Sequence, residues 1–83
     1  DMIIVNIHAP ALETVYNFSL EETAKIGDLM EEIVELIAQK EHVPFGGGLE
    51  EMVLCSVENG EQFDKSRCLA DYGISGGAEL ILV

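Results

Sequence analysis

The most specific indication of the fold is the segment Leu69-Ala70-Asp71-Tyr72-Gly73-Ile74, followed after five residues by Leu80-Ile81-Leu82-Val83. The first segment predicts a short helical turn that ends in a loop at its glycine. Gly76 and Gly77 then mark a turn before the last strand, which we expect over residues 79–83. The C-terminal third is therefore a turn, a loop and a strand.

One amphipathic helix is predicted upstream of this segment, from Ile26 to about Lys40. Its apolar stripe at helical spacing consists of Ile26, Leu29, Met30, Ile33, Val34, Leu36 and Ile37. The opposite face is acidic. Pro44 and the run Gly46-Gly47-Gly48 predict the end of the helix and a flexible connection.

The remaining segments predict strands. Residues 2–8 and 12–20 both alternate between apolar and polar positions, and their short connection predicts a hairpin. After the helix, residues 52–57 predict a third strand. Asn59-Gly60 predicts a tight turn, and residues 62–63 predict a short fourth strand.

The predicted order is β-β-α-β-β-β, which is α+β, because a single helix can cover only one face of a sheet. We expect a mixed sheet of four to five strands with the helix packed across one face. At 83 residues, the chain is expected to form one domain over residues 1–83.

Two segments resemble ubiquitin-like proteins, whose β-grasp fold has this order of elements. They are the turn at residues 69–74 with the strand that follows it, and Ile26-Gly27-Asp28-Leu29, which is similar to the start of the ubiquitin-like helix. Among these proteins the chain looks most similar to the bacterial YukD/EsaB-like family, through the tail pattern L-x-D-x-x-I-x-x-G-x-x-L. The residues that meet this pattern are Leu69, Asp71, Ile74, Gly77 and Leu80.

The resemblance implies a cytosolic accessory or regulatory factor of a bacterial type VII secretion system, which binds other proteins such as components of that system. Ubiquitin-like modifiers and sulfur carriers need a flexible Gly-Gly tail, whereas this chain stops at Val83 within its predicted strand. We therefore expect no conjugation. If the native chain is longer and ends in Gly-Gly, a ubiquitin-like modifier or sulfur carrier is the alternative function. A further alternative is a ubiquitin-like targeting domain that belongs to a larger protein.

The charge balance excludes several kinds of partner. Four basic residues face sixteen acidic ones, a net charge of −12, so binding to nucleic acid or directly to an anionic membrane is not expected. The acidity serves solubility or steers a basic partner. Cys55 and Cys68 are too few for a disulfide framework or a cysteine zinc site, and they predict reduced thiols in the cytoplasm.

No catalytic, cofactor or metal site is predicted. His8 and His42 lie on different elements, and no nucleophile–base motif accompanies them. We therefore expect a protein that is not an enzyme and has no cofactor.

The sheet offers the best candidate site. We expect the helix to cover one face, whose residues are Ile3, Val5, Ile7, Tyr16, Phe18, Leu20, Leu54, Leu80 and Leu82. The alternate positions then face solvent, including Ile4, Val53, Ile81 and Val83. If the first, last and third strands are neighbours, these four could form one apolar patch for a protein partner. A homodimer could bury the same patch, so the chain is expected to be a monomer or a weak homodimer.

Overall fold

The computed structural model describes residues 1–42 and 51–83, and its elements follow the predicted order. The helix and strands are β1 (Met2–Ala9), β2 (Thr14–Glu21), α1 (Ile26–Glu41), β3 (Leu54–Ser56), β4 (Glu61–Gln62) and β5 (Glu79–Leu82). Short 3₁₀ turns lie at Pro10–Leu12 and Leu69–Tyr72. The predicted connection through Pro44 and the glycine run 46–48 lies outside the described residues.

The strands form one five-stranded sheet in the order β2-β1-β5-β3-β4. β1 pairs antiparallel with β2 and parallel with β5, and β3 pairs antiparallel with both β5 and β4. The first, last and third strands are thus neighbours, and the predicted mixed sheet with one helix is confirmed.

The helix covers the face of the sheet that the alternation predicts. Seven of the nine residues assigned to that face are buried, namely Val5, Ile7, Tyr16, Leu20, Leu54, Leu80 and Leu82. The other two, Ile3 and Phe18, are partly buried against the same core. From the helix, the buried residues are Ile26, Leu29, Met30, Ile33, Val34 and Ile37. Burial of each such side chain contributes about 1.5–3 kcal/mol, so this layer is the main source of stability.

The loop between β4 and the Leu69–Tyr72 turn provides hydrogen-bond acceptors for the first amides of α1. The N–H of Ile26 donates to the carbonyl of Arg67 at 2.8 Å, and the N–H of Gly27 donates to Lys65 at 2.9 Å. The first turn of a helix has no internal acceptors for these groups. A Cβ at Gly27 would lie 3.3 Å from the Lys65 carbonyl oxygen, so a residue without a side chain permits this close approach.

The turn at Leu69–Tyr72 owes its shape to local contacts. The Asp71 carboxylate accepts the N–H of Cys68 at 3.1 Å, and Gly73 takes a left-handed conformation with φ 68°. Leu69 and Ile74 are buried on either side of that turn. The spacing of Leu, Asp and Ile therefore positions two core residues around a capped turn.

Tyr72 fastens this turn to the preceding loop. Its ring centroid lies 4.7 Å from that of Phe63, and its hydroxyl accepts the backbone N–H of Asp64 at 2.8 Å. These two contacts hold the turn against the loop that follows β4.

Element boundaries differ from the predicted ones at a few points. β2 begins at Thr14 rather than at residue 12, because Pro10–Leu12 forms a 3₁₀ turn that closes with Glu13 at φ 53°. β3 is limited to Leu54–Ser56 and β4 begins one residue earlier than predicted. Leu36, which the predicted stripe includes, is 43% exposed.

Candidate functional site

The sheet face opposite α1, called here the outer face, holds most of the exposed apolar side chains. Among the described residues, the large apolar side chains that are exposed are Met2, Ile4, Val15, Leu36, Val57 and Val83. All except Leu36 lie on strands or directly after them, at positions that alternate with buried residues. Side chains alternate between the two faces of a strand, so these five point away from the helix.

Three of the four predicted partner-binding residues lie together at one end of this face. Val53 and Val83 pair through two backbone hydrogen bonds of 2.7 and 3.0 Å. Ile81 lies two residues before Val83 and directly opposite Cys55 on β3. Val53 and Ile81 are partly exposed, and Val83 is 53% exposed. The structure thus brings these three together as a small apolar cluster.

Ile4, the fourth predicted residue, lies on the same face but in a different row. The register pairs His8 with Ile81 and Asn6 with Glu79. Ile4 is therefore four residues along β1 from the level of Ile81, about 13 Å at 3.3 Å per residue. It is 61% exposed, and polar side chains separate it from the other three.

These intervening side chains form a hydrogen-bonded network that the sequence did not predict. The Glu79 carboxylate accepts a hydrogen bond from the Asn6 amide at 2.5 Å and lies 2.6 Å from Nε2 of His8. The side-chain amide of Asn17 in turn donates to Oδ1 of Asn6. The four residues form a polar row across β2, β1 and β5, in the middle of the outer face.

Glu79 carries a negative charge in this row. The hydrogen bond from Asn6, and then the contact with His8, hold the pKa of Glu79 below its ordinary value of 4.5. Alternation along β1 places Asn6 and His8 on the outer face, and this was the evidence in the sequence for part of the polar row. Their partner could not be foreseen because it depends on the register between β1 and β5.

Of the other candidate residues, Cys55 lies on the outer face opposite Ile81, whereas His42 and Cys68 lie away from it. His42 is exposed at the C-terminal end of α1, where it has φ 56°. Cys55 and Cys68 are free, partly buried thiols on β3 and before the Leu69–Tyr72 turn. Across residues 1–42 and 51–83, no group of three or more His, Cys, Asp or Glu side chains is arranged to hold a metal ion. No helix in that part of the chain is both long and apolar enough to cross a bilayer.

The arrangement suits recognition of a protein surface. Apolar side chains lie on both sides of a row whose polar groups are already hydrogen-bonded to one another. Interfaces commonly combine apolar contact area with a limited number of directed polar groups. A partner that covers the outer face would therefore meet a row whose polar groups are in part already paired, which lowers the cost of removing them from water.

Comparisons with known proteins agree with this fold. A family model described as "WXG100 protein secretion system (Wss), protein YukD" matches residues 2–82. No curated protein matches the sequence. Two solved ubiquitin-like domains are similar in structure and show that the fold is the ubiquitin-like β-grasp, as the resemblance implied.

The first is the N-terminal ubiquitin-like domain of the 4931431F19Rik protein, with a TM-score of 0.71 and 20% sequence identity. It is matched over 99% of this chain and 73% of that one. The second is the ubiquitin-like domain of the Arabidopsis thaliana protein At2g32350, with a TM-score of 0.73 and 22% identity. That match covers 99% of this chain and 76% of the other.

Proposed function

Because this chain belongs to the YukD family of the WXG100 protein secretion system (Wss), we propose that it is a non-catalytic, cytosolic accessory factor of that system. In this proposal residues 1–83 act as one domain that binds partner proteins non-covalently through the outer face of its sheet. The binding residues are Ile4, Val53, Ile81 and Val83, together with the polar row between them. The chain works as a monomer or a weak homodimer.

The distribution of exposed apolar residues is the observation that supports this site. Five of the six large apolar side chains exposed among the described residues lie on the outer face. At about 4.8 Å per strand and 3.3 Å per residue, five strands and the length of β1 span roughly 19 by 26 Å. A standard interface buries about 800 Å² on each partner, so one partner could reach both Ile4 and the Val53–Val83 pair.

The charge favours a basic partner protein. With sixteen acidic and four basic residues, the chain attracts positively charged surfaces and repels nucleic acid and anionic lipid. Such fields mainly accelerate encounter, whereas apolar contacts on the outer face would slow dissociation.

A non-catalytic role is supported by the placement of the nucleophilic side chains. Within the described part of the chain, neither Cys55 nor Cys68 has a histidine as a hydrogen-bond partner. A cysteine nucleophile needs a base or a positive environment to lower its pKa, and the surface here is strongly acidic.

The test is affinity capture from cells that express the Wss system, with mass spectrometry to identify what is bound. Wild type is compared with a Val53→Asp/Ile81→Asp double variant and with Ile4→Asp. The matched control, Gln39→Asp/Ala70→Asp, adds the same two charges at exposed positions away from the outer face. Circular dichroism first establishes that all four proteins are folded.

We expect wild type and the control to retain a Wss component, the double variant to lose it and Ile4→Asp to weaken its retention. If the double variant retains the same component as wild type, the outer face is not the binding site. If wild type captures no Wss component, the accessory role is wrong although the fold stands.

A further inference from the structure

The two edges of the sheet are very different. β4 forms one edge and has two residues, whereas β2 forms the other and has eight. All eight residues of β2 pair with β1 without a bulge, and β2 contains neither proline nor lysine. Proteins usually protect edge strands with short length, bulges, proline or lysine, because an open edge can accept another strand. β2 has none of these protections.

The register shows which backbone groups of β2 point outward. The N–H of Asn6 donates to Ala78, and the carbonyl of Ile4 accepts from Gly77, so even-numbered residues of β1 bond to β5. Odd-numbered residues of β1 therefore bond to β2, where their partners are even-numbered. The residues of β2 that direct N–H and C=O to the open edge, without a described hydrogen-bond partner, are Val15, Asn17 and Ser19.

An apolar groove runs beside this edge, between β2 and α1. This groove, called here the edge groove, has a volume of about 250 Å³. It is lined by Tyr16, Asn17, Phe18, Leu36, Ile37 and Lys40. Leu36 is the exposed large apolar side chain that does not belong to the outer face. A strand added to β2 would place every second side chain over this groove.

We propose that the β2 edge and the edge groove form a second docking site, which takes an extended segment of a partner protein as a sixth strand. Backbone hydrogen bonds to β2 would give affinity, and alternate apolar side chains in the groove would give selectivity. The site adjoins the outer face and shares Asn17 with its polar row, whereas Val53, Ile81 and Val83 are at the other side of the sheet and take no part in it.

Charge defines the chemistry of this segment. Glu13 and Glu21 lie at the two ends of β2, and the exposed Glu32 and Glu35 precede Leu36 on α1. These four carboxylates outnumber the two cations described nearby, which are Lys40 in the groove and the N-terminal amine of Asp1 beside Glu21. A segment that alternates apolar with basic residues complements this surroundings. A second copy of the chain does not, because the whole chain carries a net charge of −12 and two copies repel each other.

The probe for this site is the peptide acetyl-Lys-Val-Lys-Ile-Lys-Val-Lys-amide, titrated into ¹⁵N-labelled protein. The control peptide has the same sequence and charge, but its three central peptide nitrogens are N-methylated and cannot donate hydrogen bonds. We expect the control to bind at least about tenfold more weakly, since it loses backbone hydrogen bonds. The amides of Val15, Asn17 and Ser19 should become protected from hydrogen exchange with the unmodified peptide.

Three variants locate the site. Ser19→Pro removes an outward N–H at an edge position where proline is tolerated, and Leu36→Ala empties part of the groove. Both should weaken binding of the unmodified peptide severalfold. Val53→Asp/Ile81→Asp, which tests the outer face, should not weaken it, so failure of one proposal is separable from failure of the other.

Three outcomes would overturn the proposal. The first is equal affinity for the two peptides, which would mean attraction by charge alone. The second is protection at amides other than those of the β2 edge. The third is a wild-type dimer in analytical ultracentrifugation that becomes a monomer in Ser19→Pro, because a second copy of the chain would then occupy the β2 edge. If Ser19→Pro does not fold, the N-methylated peptide and Leu36→Ala still decide the matter.

Discussion

Glu79 links β5, the central strand, to its neighbour β1 through side-chain contacts on the outer face. It accepts a hydrogen bond from Asn6 and contacts His8, and these contacts lower its pKa in the folded state. The folded protein therefore binds a proton at Glu79 less readily than the unfolded chain does. The stability that this carboxylate contributes is present above the unfolded pKa of about 4.5 and is lost as the pH falls through the lower folded value.

We therefore expect Glu79→Gln to be less stable than wild type at pH 7, and the difference to shrink between pH 4.5 and pH 3. Urea unfolding at pH 7, 5 and 3.5 measures this difference. Glu31→Gln removes one negative charge from the exposed helix face and serves as the control. A difference between wild type and Glu79→Gln that stays constant over this range would show that the contacts of Glu79 do not stabilise its ionised form.

For individual strand residues, the sequence predicted which face of the sheet a side chain lies on, but not which side chains lie beside it on neighbouring strands. Alternation placed Asn6 and Ile4 on the outer face correctly. It could not show that Asn6 lies beside Glu79, because the two residues are 73 positions apart in sequence. Ile4 was consequently grouped with Ile81, although the polar row lies between them.

The helix is the element that the sequence predicted most fully, and Leu36 is its exception. At 100° per residue, Leu36 lies about 60° from Ile33 around the helix. It is directed past β2, where the sheet ends, and therefore lines the edge groove instead of the core. The amphipathic pattern identifies an apolar stripe, but the width of the sheet beneath decides which residues at its border are covered.

The difference in burial between Ile33 and Leu36 predicts that their alanine variants lose unequal amounts of unfolding free energy. Ile33 is fully buried, so Ile33→Ala should lower the free energy of unfolding by about 2–4 kcal/mol. Leu36→Ala, one turn further along, should cost less than about 1 kcal/mol because the side chain is 43% exposed. Urea unfolding of both variants measures the two values. Similar costs would mean that Leu36 is covered in solution, by a second copy for example.

For the whole molecule, the net charge of −12 acts against the compact state. Salt screens this repulsion, since the Debye length falls from about 30 Å at 0.01 M to about 10 Å at 0.1 M. We expect Tm to rise by about 4–8 °C between 10 and 300 mM NaCl, equivalent to about 1 kcal/mol for a domain of this size.

Thermal unfolding followed by circular dichroism measures this shift. Potassium chloride at equal ionic strength should have the same effect, because screening depends on charge and not on the identity of the cation. A Tm that falls or does not change with salt would show that repulsion between the carboxylates does not limit the stability of the fold.

The pattern of residues along the chain was enough to predict which segments are helix or strand and which side of each faces the core. Both properties follow from the spacing of apolar residues within a short segment, so they can be predicted without knowing the rest of the fold. Which groups lie side by side on the sheet depends on the tertiary structure: the polar row around Glu79, the Val53–Val83 pair and the β2 edge, which no other strand among the described residues covers. Each arises from pairing between distant segments, whose register is set by packing of the whole core rather than by the pattern within any one strand.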